Sequence, residues 1–156
     1  MDFFPIGLAT QVITLATTAS YYYRFVASAT FTINNIRFTK ESDGGLSTIV
    51  RGAIYNDDDS LKCQGAINSG TIAGFRSIPM VVESGQDLII TAGQAYWFAI
   101  AVSQNNGNWV GSNTGLQSTA WFYLGTNNYS TTPFPATRNV VGIANTKLRP
   151  AATFYA

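Results

Sequence analysis

From Tyr96 to Val102 the chain alternates with a period of two: Tyr96, Phe98, Ile100 and Val102 fall on one face, and Trp97, Ala99 and Ala101 on the other. A helix turns by about 100° per residue and would scatter those bulky positions around its circumference, whereas a pleated strand gathers them on one side. The same period recurs along the chain between clusters of Gly, Asn, Asp and Ser, and no stretch carries helical periodicity beyond a single turn. Such a pattern restricts the chain to an all-β domain.

The individual strands follow from that period. Phe31-Thr32-Ile33 alternates in one phase and Ile36-Arg37-Phe38 in the other, so a bulge is expected at Asn34-Asn35. Residues 40–45 (KESDGG) read as a turn. A strand over 48–55 places Val50 and Ile54 on one face and Arg51 and Tyr55 on the other, and 56–60 (NDDDS) closes that hairpin. Strands are expected at 62–67, 70–75, 78–82 and 88–90, punctuated by Gly85-Gln86 and Ala92-Gly93. After the turn at 105–108 (NNGN) come short strands at 109–111 and 119–124. Residues 125–137 (GTNNYSTTPFPAT) are too polar and Pro-rich for regular structure, and 153–155 offer a final edge strand. Residues 1–20 read as an N-terminal arm and first strand, and 21–156 as one β-sandwich domain without internal repeats. About nine short strands with long connections fit a jelly roll or related Greek-key sandwich better than a simple meander.

Composition limits the chemistry. The chain has no histidine, a single cysteine and eight carboxylates. The Ser–His–Asp relay, the Cys–His pair, the His-based zinc site and the imidazole general base all need residues it lacks. Charged residues make up 11%, against a usual ~25%. The basic residues are scattered from Arg24 to Arg149 without a stripe to neutralise phosphates, so no nucleic-acid partner is expected. The longest apolar run, 95–102, is less than half the roughly 18 residues that suggest a membrane helix. The opening MDFFPIGLATQ has no basic n-region and carries Asp2, so no secretory signal is expected and synthesis is placed in the cytoplasm. Cys63, alone, forms no intrachain disulfide and reads as a small buried hydrophobe.

Asp57, Asp58 and Asp59, flanked by Asn56 and Ser60, are the one gathering of hard-oxygen groups and therefore the weak metal candidates. Their spacing lacks the D-x-D-x-D-G order and terminal Glu of a calcium loop, and Asp and Asn favour turns in any case. Glu41, Asp43, Glu83 and Asp87 stand near glycines in expected turns, not in a cleft where two carboxylates cooperate. A non-enzymatic protein without a cofactor is the expectation.

The aromatic residues point elsewhere. With Tyr96 and its partners inward, Trp97 points outward, flanked by Ala99 and Ala101; by the same alternation Trp121 and Tyr123 lie opposite Ala120, Phe122 and Leu124. Solvated sheet faces carry Thr, Lys or Glu at such positions. Two readings of Trp97 stand: a face covered by another chain or a sugar ring, or packing beneath the 125–137 loop of the same chain. Phe3 and Phe4 make the N-terminal arm apolar, a feature suited to an interface with a neighbouring subunit.

The progression Tyr22-Tyr23-Arg24-Phe25-Val26, Phe31-Thr32-Ile33, Ile36-Arg37-Phe38, Val50-Arg51-Gly52-Ala53-Ile54-Tyr55-Asn56-Asp57 and Leu88-Ile89-Ile90-Thr91-Ala92-Gly93-Gln94-Ala95-Tyr96-Trp97-Phe98-Ala99-Ile100-Ala101 resembles the jelly-roll modules of tailed-phage virion proteins (capsid decoration proteins, head and tail fibres) and the related carbohydrate-binding modules. The resemblance covers residues 21–102. It implies a structural subunit of a virus particle that assembles with other virion proteins; self-complementary faces would close copies of the chain into a cyclic oligomer, here expected as a trimer. The alternative it leaves open is a glycan-binding adhesin that recognises a host surface, with Trp97, Trp109, Trp121 and Tyr123 as stacking platforms.

Overall fold

The computed structural model describes residues 11–15, 17, 19–42, 48–68, 70, 74–104, 108–112, 122–125, 127–140, 142–143, 149–150 and 152–155. Among these residues every element is a strand and every pairing is antiparallel. The main strands are β1 (Gln11–Thr14), β2 (Tyr21–Val26), β4 (Asn35–Ser42), β5 (Ile49–Asn56), β6 (Leu61–Asn68), β7 (Gly74–Pro79), β10 (Ala95–Val102) and β11 (Asn108–Ser112). The short ones are β3 (Phe31–Thr32), β8 (Val81–Val82), β9 (Ile89–Ile90), β12 (Phe122–Leu124), β13 (Gly142–Ile143), β14 (Arg149–Pro150) and β15 (Ala152–Tyr155).

One sheet runs β1-β11-β4-β7, and the facing sheet runs β2-β10-β5-β6. Among these eight strands only the β5–β6 hairpin stays within one sheet; every other step from one main strand to the next crosses to the opposite sheet. This is the jelly-roll order, and the expected all-β sandwich is the fold observed. β15 continues the line of β11 along the same edge of β4, pairing Phe154 with Ile36, while β12, β13 and β8 extend the second sheet.

The space between the sheets is filled by alternate residues of the paired strands. Val50 and Ile54 of β5, Ile36 and Phe38 of β4, and Tyr96, Phe98, Ile100 and Val102 of β10 belong to one apolar cluster with Tyr23, Cys63, Ile78 and Phe154. The Phe98 ring anchors it, with centroids of Phe38 at 6.0 Å, Tyr23 at 6.0 Å and Phe154 at 5.6 Å. Burying one such side chain contributes about 1.5–3 kcal/mol.

Four details differ from the sequence expectation, the first being that β7 runs unbroken through Arg76 and Ser77, between the strands expected at 70–75 and 78–82. The phase change at Asn34-Asn35 is a break between strands, not a bulge within one. β3 pairs with β9 in a separate small sheet, and the chain then enters β4, with the Ile33 amide donating to Leu88 and the Asn34 carbonyl accepting from Met80. Lys40, expected at the head of a turn, lies inside β4 and is fully buried, its Nζ donating to the Gly70 carbonyl at 2.9 Å. The expected 78–82 strand is split at Met80, where the chain leaves β7 in one sheet and joins β6 of the other as β8. The 125–137 segment carries no regular strand among its described residues, as expected, apart from one bridge between Thr137 and Ser60.

Candidate functional site

The outer face of the β2-β10-β5-β6 sheet is aromatic, and the chain covers it itself. Trp97 stands opposite Arg24 on β2 and Tyr55 on β5. It packs with Tyr22, Tyr55, Leu61, Ala99, Ala101 and Phe134 in a second apolar cluster, separate from the one between the sheets. The strap of residues 127–140 lies across this face. Phe134 sits edge-on to Tyr22 at 6.2 Å and to Tyr55 at 6.4 Å, and the Tyr55 hydroxyl donates to the Pro135 carbonyl at 2.9 Å. Gln64 ties the strap to β6, accepting from the Phe134 amide at 2.8 Å and donating to Glu83 at 2.7 Å. Asn128 binds the other end, donating to the carbonyls of Thr17 and Val102. Trp97 is consequently 6% exposed. It is not an open platform; of the two readings available from sequence, packing under the loop of the same chain is the arrangement observed.

Arg138 completes the cover. Its guanidinium lies 3.6 Å from the centroid of the Trp97 ring, a cation–π stack, and its Nε and Nη2 donate to Asp59 Oδ1 at 2.8 and 2.6 Å. The Arg138 amide also donates to the Asp59 carbonyl. Burial away from water raises the hydroxyl pKa values of Tyr22 and Tyr55 beneath the strap.

The aspartate run is a hairpin turn in which each carboxylate turns to a different partner. Asp57 receives Arg24 through both oxygens at 2.9 and 3.0 Å. Asp58 accepts from the Ser60 hydroxyl and amide, which holds its carboxyl below the usual range. Asp59 adopts a φ of 71°, the left-handed region that Asp and Asn tolerate better than most residues, and holds Arg138. The three therefore diverge, and the structure gives them the turn role rather than a shared cation site.

Glu83 and Asp87 are engaged as well, Glu83 by Gln64, and Asp87 by Lys62 at 2.5 Å and by the Ile89 amide at 2.9 Å. Lys62 is the extra residue where the β5–β6 register shifts, and its hydrogen bond is the main cause that lowers the Asp87 pKa. Cys63 is fully buried between the sheets, where desolvation pushes its thiol up to about 12. A thiol held so far from ionising is a poor nucleophile.

Open surface lies elsewhere. Phe75 on β7 is 59% exposed, with the Arg37 guanidinium 5.6 Å from its centroid and the Ser77–Asn35 hydrogen bond two positions along the same face. Val81 is 66% exposed and Val82 is exposed beside it on β8, the end strand of its sheet; Val26 and Ile89 are also exposed. Of the residues singled out from sequence, Phe3, Phe4 and Trp121 lie outside the described residues. The backbone of Trp109 on β11 pairs with Ile13, and that of Tyr123 on β12 pairs with Tyr22, so the two belong to opposite sheets. Arg138 and Phe134 were not anticipated, since a lone Arg or Phe in a polar stretch carries no periodic signal; Phe75 fell in an expected strand, but no sequence signal marked it as exposed. Compared with protein-family models, with curated proteins and with solved structures, the chain matches none.

Proposed function

We propose that the chain is a non-enzymatic structural subunit of a virus particle, of the tailed-phage capsid decoration or fibre type, that assembles with copies of itself and with other virion proteins. The observation that carries the reading is the division of labour on the surface. Asp57, Asp58, Asp59, Glu83 and Asp87 are engaged within the fold, while Val81, Val82 and Ile89 stand exposed on short strands at sheet margins. Apolar side chains exposed on edge strands favour burial against another chain, and a chain with 11% charged residues opposes that burial little. The jelly roll itself is an architecture used by capsid and lectin domains alike, so it supports the reading without selecting it.

The test is the oligomeric state of Val81→Lys beside that of the unaltered chain. The reading expects a stable oligomer that V81K weakens or dissolves while the folded signature by circular dichroism is kept. Two monomers, or two identical oligomers, would count against β8 as an interface.

A second reading, a glycan-binding module for a host surface, has one observation in its favour. Phe75 is an open aromatic ring on a paired strand, with Arg37, Asn35 and Ser77 supplying hydrogen-bonding groups around it. It moves the stacking platform away from Trp97. Binding of the chain to an immobilised glycan panel, lost in Phe75→Ala, is the measurement that would favour it over the first.

A further inference from the structure

We infer that the strap of residues 127–140 is a latched cover over the Trp97–Tyr22–Tyr55 face, and that the charge of Asp59 is the latch. The strap reaches the sheet through side chains and isolated backbone bonds rather than through a ladder. Its attachments include Asn128 and the Ser20 hydroxyl, which donates to the Asn127 carbonyl and accepts from the Tyr129 amide, at one end, Gln64 to the Phe134 amide and Tyr55 to Pro135 in the middle, and the 136–138 stretch on the turn at the other. At that last point Leu61 donates to Ala136, Thr137 bridges to Ser60, and Arg138 meets Asp59 through backbone and side chain together. Segments held in this way open locally at a lower free energy than paired strands.

The latch is asymmetric. The Arg138 side chain is 8% exposed and lies flat on Trp97, whereas Asp59 belongs to a solvent-facing turn with 37% of its side chain exposed. A buried guanidinium is tolerated while a carboxylate faces it and is strongly disfavoured once that charge is neutralised. Neutralising an accessible aspartate therefore drives Arg138 towards water, and the strap with it. The other ionisable groups around the contact are Asp57 and Asp58 in the same turn, Arg24 on β2, Tyr22 and Tyr55 beneath, Tyr129 on the strap, and Glu83, which acts on Tyr55. Asp57 is engaged by Arg24 and Asp58 by Ser60, so the turn presents Asp59 to Arg138 in a fixed arrangement. Uncovering exposes one tryptophan and two tyrosines that the closed chain hides, a change of surface rather than of fold.

Asp59→Asn is a mild replacement, because Asn also tolerates the left-handed backbone at this position. The measurement is hydrogen–deuterium exchange at pH 7, comparing the Phe134 and Arg138 amides of the strap with the amides of β10. The latch predicts at least tenfold faster exchange in the strap of D59N, an unchanged β10, and no such change in Asp57→Asn. Unchanged strap exchange in D59N overturns the inference, and so does acceleration of strap and β10 together. Should D59N fail to fold, Asp59→Gly, which also accepts the left-handed backbone and lacks the carboxylate, makes the same comparison. The latch predicts faster exchange of the strap amides with β10 unchanged; acceleration of both together, or of neither, refutes it.

Discussion

Gly65 of β6 lies close against the end of β7, and replacing it by Ala gives a sharp test of that packing. A Cβ on Gly65 would lie 2.0 Å from the Pro79 carbonyl oxygen and 2.8 Å from Ile78 Cγ2. Carbon and carbonyl oxygen rest at about 3.3 Å or more, so β6 and the end of β7 would have to separate by roughly 1.3 Å. Neither neighbour yields easily. Pro79 is held by pairing with Asn35, Ile78 is buried in the inter-sheet core, and the next residue, Met80, donates to the Asn34 carbonyl. Such overpacking costs typically 1–3 kcal/mol, and a backbone obstacle places Gly65→Ala at the upper end, about 3 kcal/mol. For a domain whose whole stability is of order 5–15 kcal/mol, that is a large share, and it lowers the melting temperature by roughly 6–12 °C. Urea unfolding followed by tryptophan fluorescence measures it, with the slope expected to stay constant while the midpoint falls. Gly52→Ala is the graded control: its new Cβ is tight only against Ile36 Cδ1 at 3.2 Å, a side-chain tip that can shift, with Ile78 Cδ1 and Phe98 Cε2 at ordinary contact distances of 3.5 and 3.8 Å, so a loss of about 1 kcal/mol is expected. If Gly65→Ala lies within 0.5 kcal/mol of the parent, the β6–β7 approach is wrong.

Other consequences are equally concrete. Truncating Phe98, which packs against three aromatic rings, to Ala should cost about 3–5 kcal/mol by thermal or urea unfolding. Cys63 should resist alkylation in the native protein at pH 8 and react fully in denaturant; rapid native labelling would contradict its burial. The pH profile has a definite sign on each side. Asp58 and Asp87 have lowered folded pKa values, so their contribution is complete above the ordinary carboxylate range and fades as pH falls through and below about 4. Cys63 has a raised one, so its contribution is complete below its unfolded value and fades as pH rises from about 8.5 towards 12, with Tyr22 and Tyr55 adding to the alkaline loss. Urea midpoints across pH should therefore fall at both ends, and a monotonic profile would contradict the assignments.

Much of the sandwich was legible because its strands are buried on the face that their period marks. Val50, Ile54, Phe98 and Ile100 lie between the sheets as the alternation requires. Short-range patterning failed where tertiary contacts decide. A phase change such as that at Asn34-Asn35 marks either a bulge or a crossing to another strand, and only the pairing of β3 with β9 distinguishes them. Lys40 looks like a turn residue by composition, yet the distant Gly70 carbonyl allows it to be buried in a strand. The outward direction of Trp97 was readable; what covers it was not, because Phe134 and Arg138 reach it from some 37 to 41 positions away through a segment without period. The turn role of the aspartates was readable from their spacing, whereas their arginine partners, 33 and 79 residues distant, were not.

On the proposed reading, the exposed apolar margins of this jelly roll are covered by another copy of the chain. The most direct test is the native mass of the purified chain by light scattering on a sizing column, across a hundredfold range of concentration. A stable oligomer, in keeping with the trimer expected from sequence, is the predicted result. A monomer of 16.8 kDa at every concentration would contradict it.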